Sequence, residues 1–122
     1  MSQVAFEMPV KYLTGSKPAA TDFSDARYKF VDINANGDLI LAPAGKACIG
    51  VLQQPGEKDK GPMELPVMFA GISFIIFGGT VASGAMVEID ANGCAITQNT
   101  GVAVGKAIVG GASGAIGCVL LK

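Results

Sequence analysis

Apolar and polar residues alternate with a period of two along much of this 122-residue chain, the spacing of strands that bury one face. The pattern is clearest in a stretch that occurs twice, V-D-I-N-A-N-G at 31–37 and V-E-I-D-A-N-G at 87–93. Each copy ends on Asn-Gly, a strong signal for a hairpin closed by a type I′ turn, so each reads as strand, turn, strand. At the same offset of 56 positions Ile40 falls on Ile96, Gly45 on Gly101 and Ala47 on Ala103; after a slip of one residue Gly50 falls on Gly105. One β unit is used twice.

Ahead of the first copy, residues 3–13 alternate with Val4, Phe6, Met8, Val10 and Tyr12 on one face. Pro9 cannot donate to a ladder, which places this strand at an edge or in an arm. The polar run T-G-S-K-P-A-A-T-D at 14–22 has the composition of a tether. An apolar strand on a tether suits capture by a neighbour through strand addition; pairing with its own sheet is the other reading. Behind it, about nine short strands follow at 28–33, 38–41, 48–52, 63–69, 72–77, 86–90, 94–97, 104–109 and 115–121. No segment has a 3.6-residue period. The expectation is an all-β fold: residues 1–22 as arm and tether, and residues 23–122 as one small β-barrel or β-sandwich, tulip-like, built from two repeated hairpin units.

Composition adds a surface argument. Hydrophobic residues make up 50% of the chain and charged residues 16%, against about 25% charged in an average domain, so part of the apolar surface calls for a permanent partner or self-association. A net charge of -1 gives no reason to expect nucleic acid. Three cysteines without any histidine support neither a zinc site nor a secreted disulfide framework. The N-terminus lacks a basic segment followed by an apolar one, so a cytoplasmic origin is expected. Residues 65–87 carry no charge and are long enough to cross a bilayer as a helix. Pro66, Gly71, Gly78, Gly79 and Gly84 cut that run into strand-length pieces, so no membrane partner is expected.

Candidate chemistry is sparse. Asp32, Asn34, Asn36 and Gly37 match the opening of a calcium-binding loop, which makes a calcium-dependent binding module the alternative function. The twelfth position is Pro43 instead of a bidentate Glu, and the flanks are strand-like, so a turn accounts for the same residues without metal. Without histidine no Ser-His or Cys-His pair can form. Cys94 follows a turn glycine, with no cation close in sequence to activate it. The glycine-rich stretches 78–84 and 105–114 lack the features of a phosphate loop. The hairpin tips carry no lysine for biotin or lipoyl attachment. No catalytic residue, metal or cofactor is expected, and the protein is not expected to be an enzyme.

The order of four phrases carries a resemblance: F-V-D-I-N-A-N-G-D-L-I, A-C-I-G-V-L-Q-Q-P, G-G-T-V-A-S-G-A-M-V-E-I-D-A-N-G and V-G-K-A-I-V-G-G-A-S-G-A-I-G-C-V-L-L. Over residues 28–121 the chain resembles the capsid decoration, or cement, proteins of tailed double-stranded DNA phages. The resemblance implies a structural virion protein on the outer surface of the head, made in the bacterial cytoplasm, that stabilises the lattice of the major capsid protein, often as a homotrimer with a reaching N-terminal arm. On that footing Val4, Phe6, Met8, Val10 and Tyr12 are the expected capsid contacts. Phe74, Ile76 and Phe77 are candidates for self-association, with burial in the core as the competing reading.

Overall fold

The computed structural model describes residues 11–58 and 60–121. Among these there are ten strands and no helix: β1 (Tyr12–Lys17), β2 (Phe30–Ile33), β3 (Leu39–Leu41), β4 (Gly50–Leu52), β5 (Met63–Met68), β6 (Ile72–Ile76), β7 (Met86–Ile89), β8 (Ala95–Thr97), β9 (Gly105–Val109) and β10 (Ile116–Leu121). They form two antiparallel five-stranded sheets, ordered β1-β5-β4-β2-β3 and β6-β10-β9-β7-β8. Adding five to each strand of the first order gives the second. The duplication seen at 31–37 and 87–93 thus extends to β1 and β6, and to β5 and β10, where the sequences do not show it.

Backbone bonds confirm the correspondence. The reciprocal pair between Phe23 and Gly56 recurs between Val81 and Gly111, and the bond from Phe69 N to Lys11 O recurs from Leu121 N to Gly71 O. One parallel bridge joins the edge strands of each sheet, Ser16 to Asp38 in the first and Phe77 to Ala95 in the second. Each sheet therefore curls strongly, and the result is a sandwich-like domain rather than a closed barrel.

Alternation sorts the side chains into two cores. Val31, Leu39, Leu52, Leu65 and Val67 pack with Phe23 inside the first repeat. The second core holds Ile75, Phe77, Val87, Ala95 and Val119 of the second repeat, and also Phe30, Ala42 and Val51 of the first. Phe30 and Val51 point away from Val31 and Leu52, so the middle of the first sheet is buried on both faces. A further difference lies at Lys17, which occupies the position of Phe77. It is fully buried, and its Nζ donates to Pro18 O at 2.7 Å and Thr21 O at 2.9 Å.

Three expectations are corrected here. Residues 14–17 are not tether: they complete β1, which pairs along its whole length with β5, from Tyr12 opposite Met68 to Lys17 opposite Met63. The Asn-Gly hairpins are not type I′, because neither Asn36 nor Asn92 has a positive φ. Each is a turn bonded from Gly37 N to Asn34 O, or Gly93 N to Asp90 O, followed by glycine in the left-handed region, with φ 82° and 77°. The side chain that opens the turn decides this. Asn34 Oδ1 accepts from Asn36 N and Asp38 N, and Asp90 Oδ1 from Asn92 N and Cys94 N, which holds the intervening residues in a right-handed turn. The first body strand begins at Phe30 instead of residue 28, since Tyr28 itself has φ 66°.

Candidate docking surface

Odd and even residues of β6 part company. Ser73 and Ile75 are buried, whereas Ile72 and Phe74 are 56% and 54% exposed. The neighbouring β10 repeats the pattern, with Gly117 and Val119 inside and Ile116, Cys118 and Leu120 outside. Pairing places Ile116 opposite Ile76, Cys118 opposite Phe74 and Leu120 opposite Ile72. On β9 a register shift against β10 leaves both Ile108 and Val109 exposed beside Cys118. The outer face of β6-β10-β9 is therefore a continuous apolar surface.

The first repeat shows what the fold itself asks of that face. The residues of β1 matching Ile72, Phe74 and Ile76 are Tyr12, Thr14 and Ser16; those of β5 matching Ile116, Cys118 and Leu120 are Glu64, Pro66 and Met68. There Ser16 Oγ donates to Glu64 Oε2 at 3.1 Å, a polar pair in the place of Ile76 and Ile116. Identical topology is thus built with a largely polar face in one repeat and an apolar one in the other. Folding does not account for the second.

A strained residue borders the apolar face. Tyr28 N donates to Leu52 O as Gly84 N donates to Ala107 O, so the two positions correspond. Gly84 meets the required φ of 89° without cost, while a tyrosine at 66° gives up about 1–2 kcal/mol. Its ring lies 5.4 Å from that of Phe74, and the Arg27 guanidinium sits 4.6 Å above its centre. The Tyr28 carbonyl accepts from Ile76 N at 2.9 Å, fixing the ring beside β6.

Of the residues expected to bind a shell, Val4, Phe6, Met8 and Val10 lie outside the described residues, and Tyr12 is half exposed in β1. Of the self-association candidates, Phe74 is exposed and Ile76 partly so, but Phe77 is 1% exposed and belongs to the core. Sequence reading missed Tyr28, Ile72, Ile108, Ile116 and Leu120. A signal was present: apart from Ser73, both faces of 72–77 are apolar, more than a one-sided strand needs.

The other candidates offer little chemistry. Asn34 Oδ1 is engaged by two backbone N–H groups, which leaves the proposed calcium loop with one of its central ligands turned inward. No group of three acidic, cysteine or histidine side chains is placed to hold a metal among the described residues. Burial pushes the Cys48 thiol up to about 11, and burial with Asp90 nearby raises Cys94, so both favour the unreactive thiol form. A hollow of about 80 Å³ beside Cys48 and Val102, and one of about 130 Å³ beside Phe23 and Lys29, fall well below the roughly 300–1,000 Å³ of small-molecule sites. Residues 65–87 run through β5 and β6 into β7, and no described helix is long and apolar enough to cross a membrane.

No family model and no curated protein sequence matches this chain. Among solved structures it is similar to the crystal structure of the head fiber gp8.5 N base of bacteriophage phi29. The TM-score is 0.75 at 12% sequence identity, over 91% of this chain and 94% of that one. The likeness is one of fold.

Proposed function

We propose that this protein is a structural component of a phage virion, a decoration or cement protein that binds the outside of the head and stabilises the lattice of the major capsid protein. The observation that carries this reading is the shared fold with a phage head-fiber base over nearly the full length of both chains. The apolar outer face of β6-β10-β9 supports it, since an attached structural protein needs a surface its own fold does not use. Many copies of a modest interface clamp a shell through multivalency. On this reading the protein is not an enzyme, has the virion surface as its location, and assembles as a homotrimer. Residues 1–10, with Val4, Phe6, Met8 and Val10, reach a neighbouring shell subunit by strand addition.

The test is co-sedimentation with empty heads assembled without this protein. The full chain is expected to bind to saturation. A form lacking residues 1–10 keeps the ten described strands and is expected to retain its melting temperature while losing most of its affinity. Full binding by the truncated form would refute the role of the N-terminal segment. Absence of binding by the full chain would refute the decoration role.

A further inference from the structure

We infer that the outer face of β6-β10-β9 docks on a protein surface of the head shell that is apolar at its centre and carboxylate-bearing at its rim. This rests on the decoration role proposed above and names the surface and the chemistry of its partner. Phe74, Ile72, Ile116, Leu120, Ile108 and Val109 are 44% to 56% exposed and together present on the order of 500 Å² of apolar area. That is the core of a standard interface, which takes about 800 Å² from each partner, with a polar rim supplying the remainder.

Three cations stand along the rim. Lys106 stands on the same face in register with Leu120. Arg27 caps Tyr28, whose ring continues the face beyond Phe74. Lys11 lies against the turn at Gly71 that leads into β6. The strands β6, β9 and β10 carry no carboxylate, and among the described residues none of the three cations forms an ion pair. An apolar centre with a cationic border complements a surface with an acidic border.

The same charges argue against the same face of a second copy as occupant. Pairing the face with itself about a twofold axis would bring the lysines and arginines of both copies into one rim. Pairing it with the outer face of the first sheet would set Phe74 and Ile116 against Tyr12, Thr14, Ser16 and Glu64, a largely polar row. The aromatic and arginine residues at the border, held there at the expense of backbone strain, are the residue types that dominate binding energy at protein interfaces.

The experiment measures binding to empty heads for the full chain, for Phe74→Ser and for Lys106→Glu, at low and moderate salt, together with the native mass of each. Phe74→Ser is expected to weaken head binding by about 10-fold or more with its native mass and melting temperature unchanged. Lys106→Glu is expected to weaken binding severalfold and to flatten its salt dependence. Equal binding by all three forms would overturn the proposal while leaving the decoration role intact. A change of native mass in Phe74→Ser would also overturn it, by showing the face to join copies of this chain. If the unaltered protein fails to bind heads, both readings fall together. Lys106→Glu tests the proposal by itself should Phe74→Ser fold poorly.

Discussion

At the scale of single residues, the duplication supplies matched positions at which one physical term differs. Gly37 and Gly93 close equivalent turns with φ of 82° and 77°. A Cβ at Gly37 would meet nothing within 4 Å, whereas one at Gly93 would lie 2.7 Å from Leu41 Cδ1 and 3.2 Å from the Phe30 carbonyl. Gly37→Ala therefore carries only the left-handed penalty and is expected to cost about 1–2 kcal/mol in denaturant unfolding. Gly93→Ala adds a steric clash at the joint between repeats and is expected to cost at least about 1 kcal/mol more. Equal losses would mean that the joint yields freely. Lys17 and Phe77 form another matched pair. A lysine lies where the sister repeat has an aromatic ring because the carbonyls of Pro18 and Thr21 converge on its ammonium group.

At the scale of elements, the alternation in β6 and β10 separates what holds the fold from what is offered outward. Ile75→Ala, in the core, is expected to cost about 2–5 kcal/mol, and Ile116→Ala, on the outer face, to stay within about 0.5 kcal/mol. Chemical unfolding of the two variants checks this. The same alternation explains how far the sequence could be read. Strands around Asn36-Gly37 and Asn92-Gly93 were legible because their polar turns and one-sided strands leave a period-two trace. The extent of β1 was not, since T-G-S-K has the composition of a loop. Gly15 is there because a Cβ would meet Leu39, and Lys17 because its charge is bonded internally. The turn type was misread because Asn-Gly was weighed without the side chain two residues before the asparagine. Of the docking face, Phe74 and Ile76 were legible as apolar residues. Their grouping with Ile116, Leu120 and Ile108 was not, because it depends on which strands pair across the sheet.

At the scale of the whole molecule, the two repeats share a core, so they are expected to unfold in one cooperative transition. Cys48 packs against that shared core, and its folded-state pKa of about 11 lies above its ordinary value of 9.0 because of burial. A raised pKa favours the protonated form in the folded protein. The associated stability is complete below about pH 9 and is lost as pH rises through about 11. Equilibrium unfolding of the native protein and of Cys48→Ala across this window is expected to show a fall in the first that is shallower in the second. The way the repeats share that core has a further consequence. The second repeat packs onto the outward row of the first through Phe30 and Val51, and the matching row of the second repeat carries Met86 and, in the place of Val51, Lys106. This is a head-to-tail contact, the kind that propagates into a filament when its open end is left adhesive. Lys106 puts a charge where the first repeat has an apolar side chain, so a third unit is not offered the row on which the second one stacks.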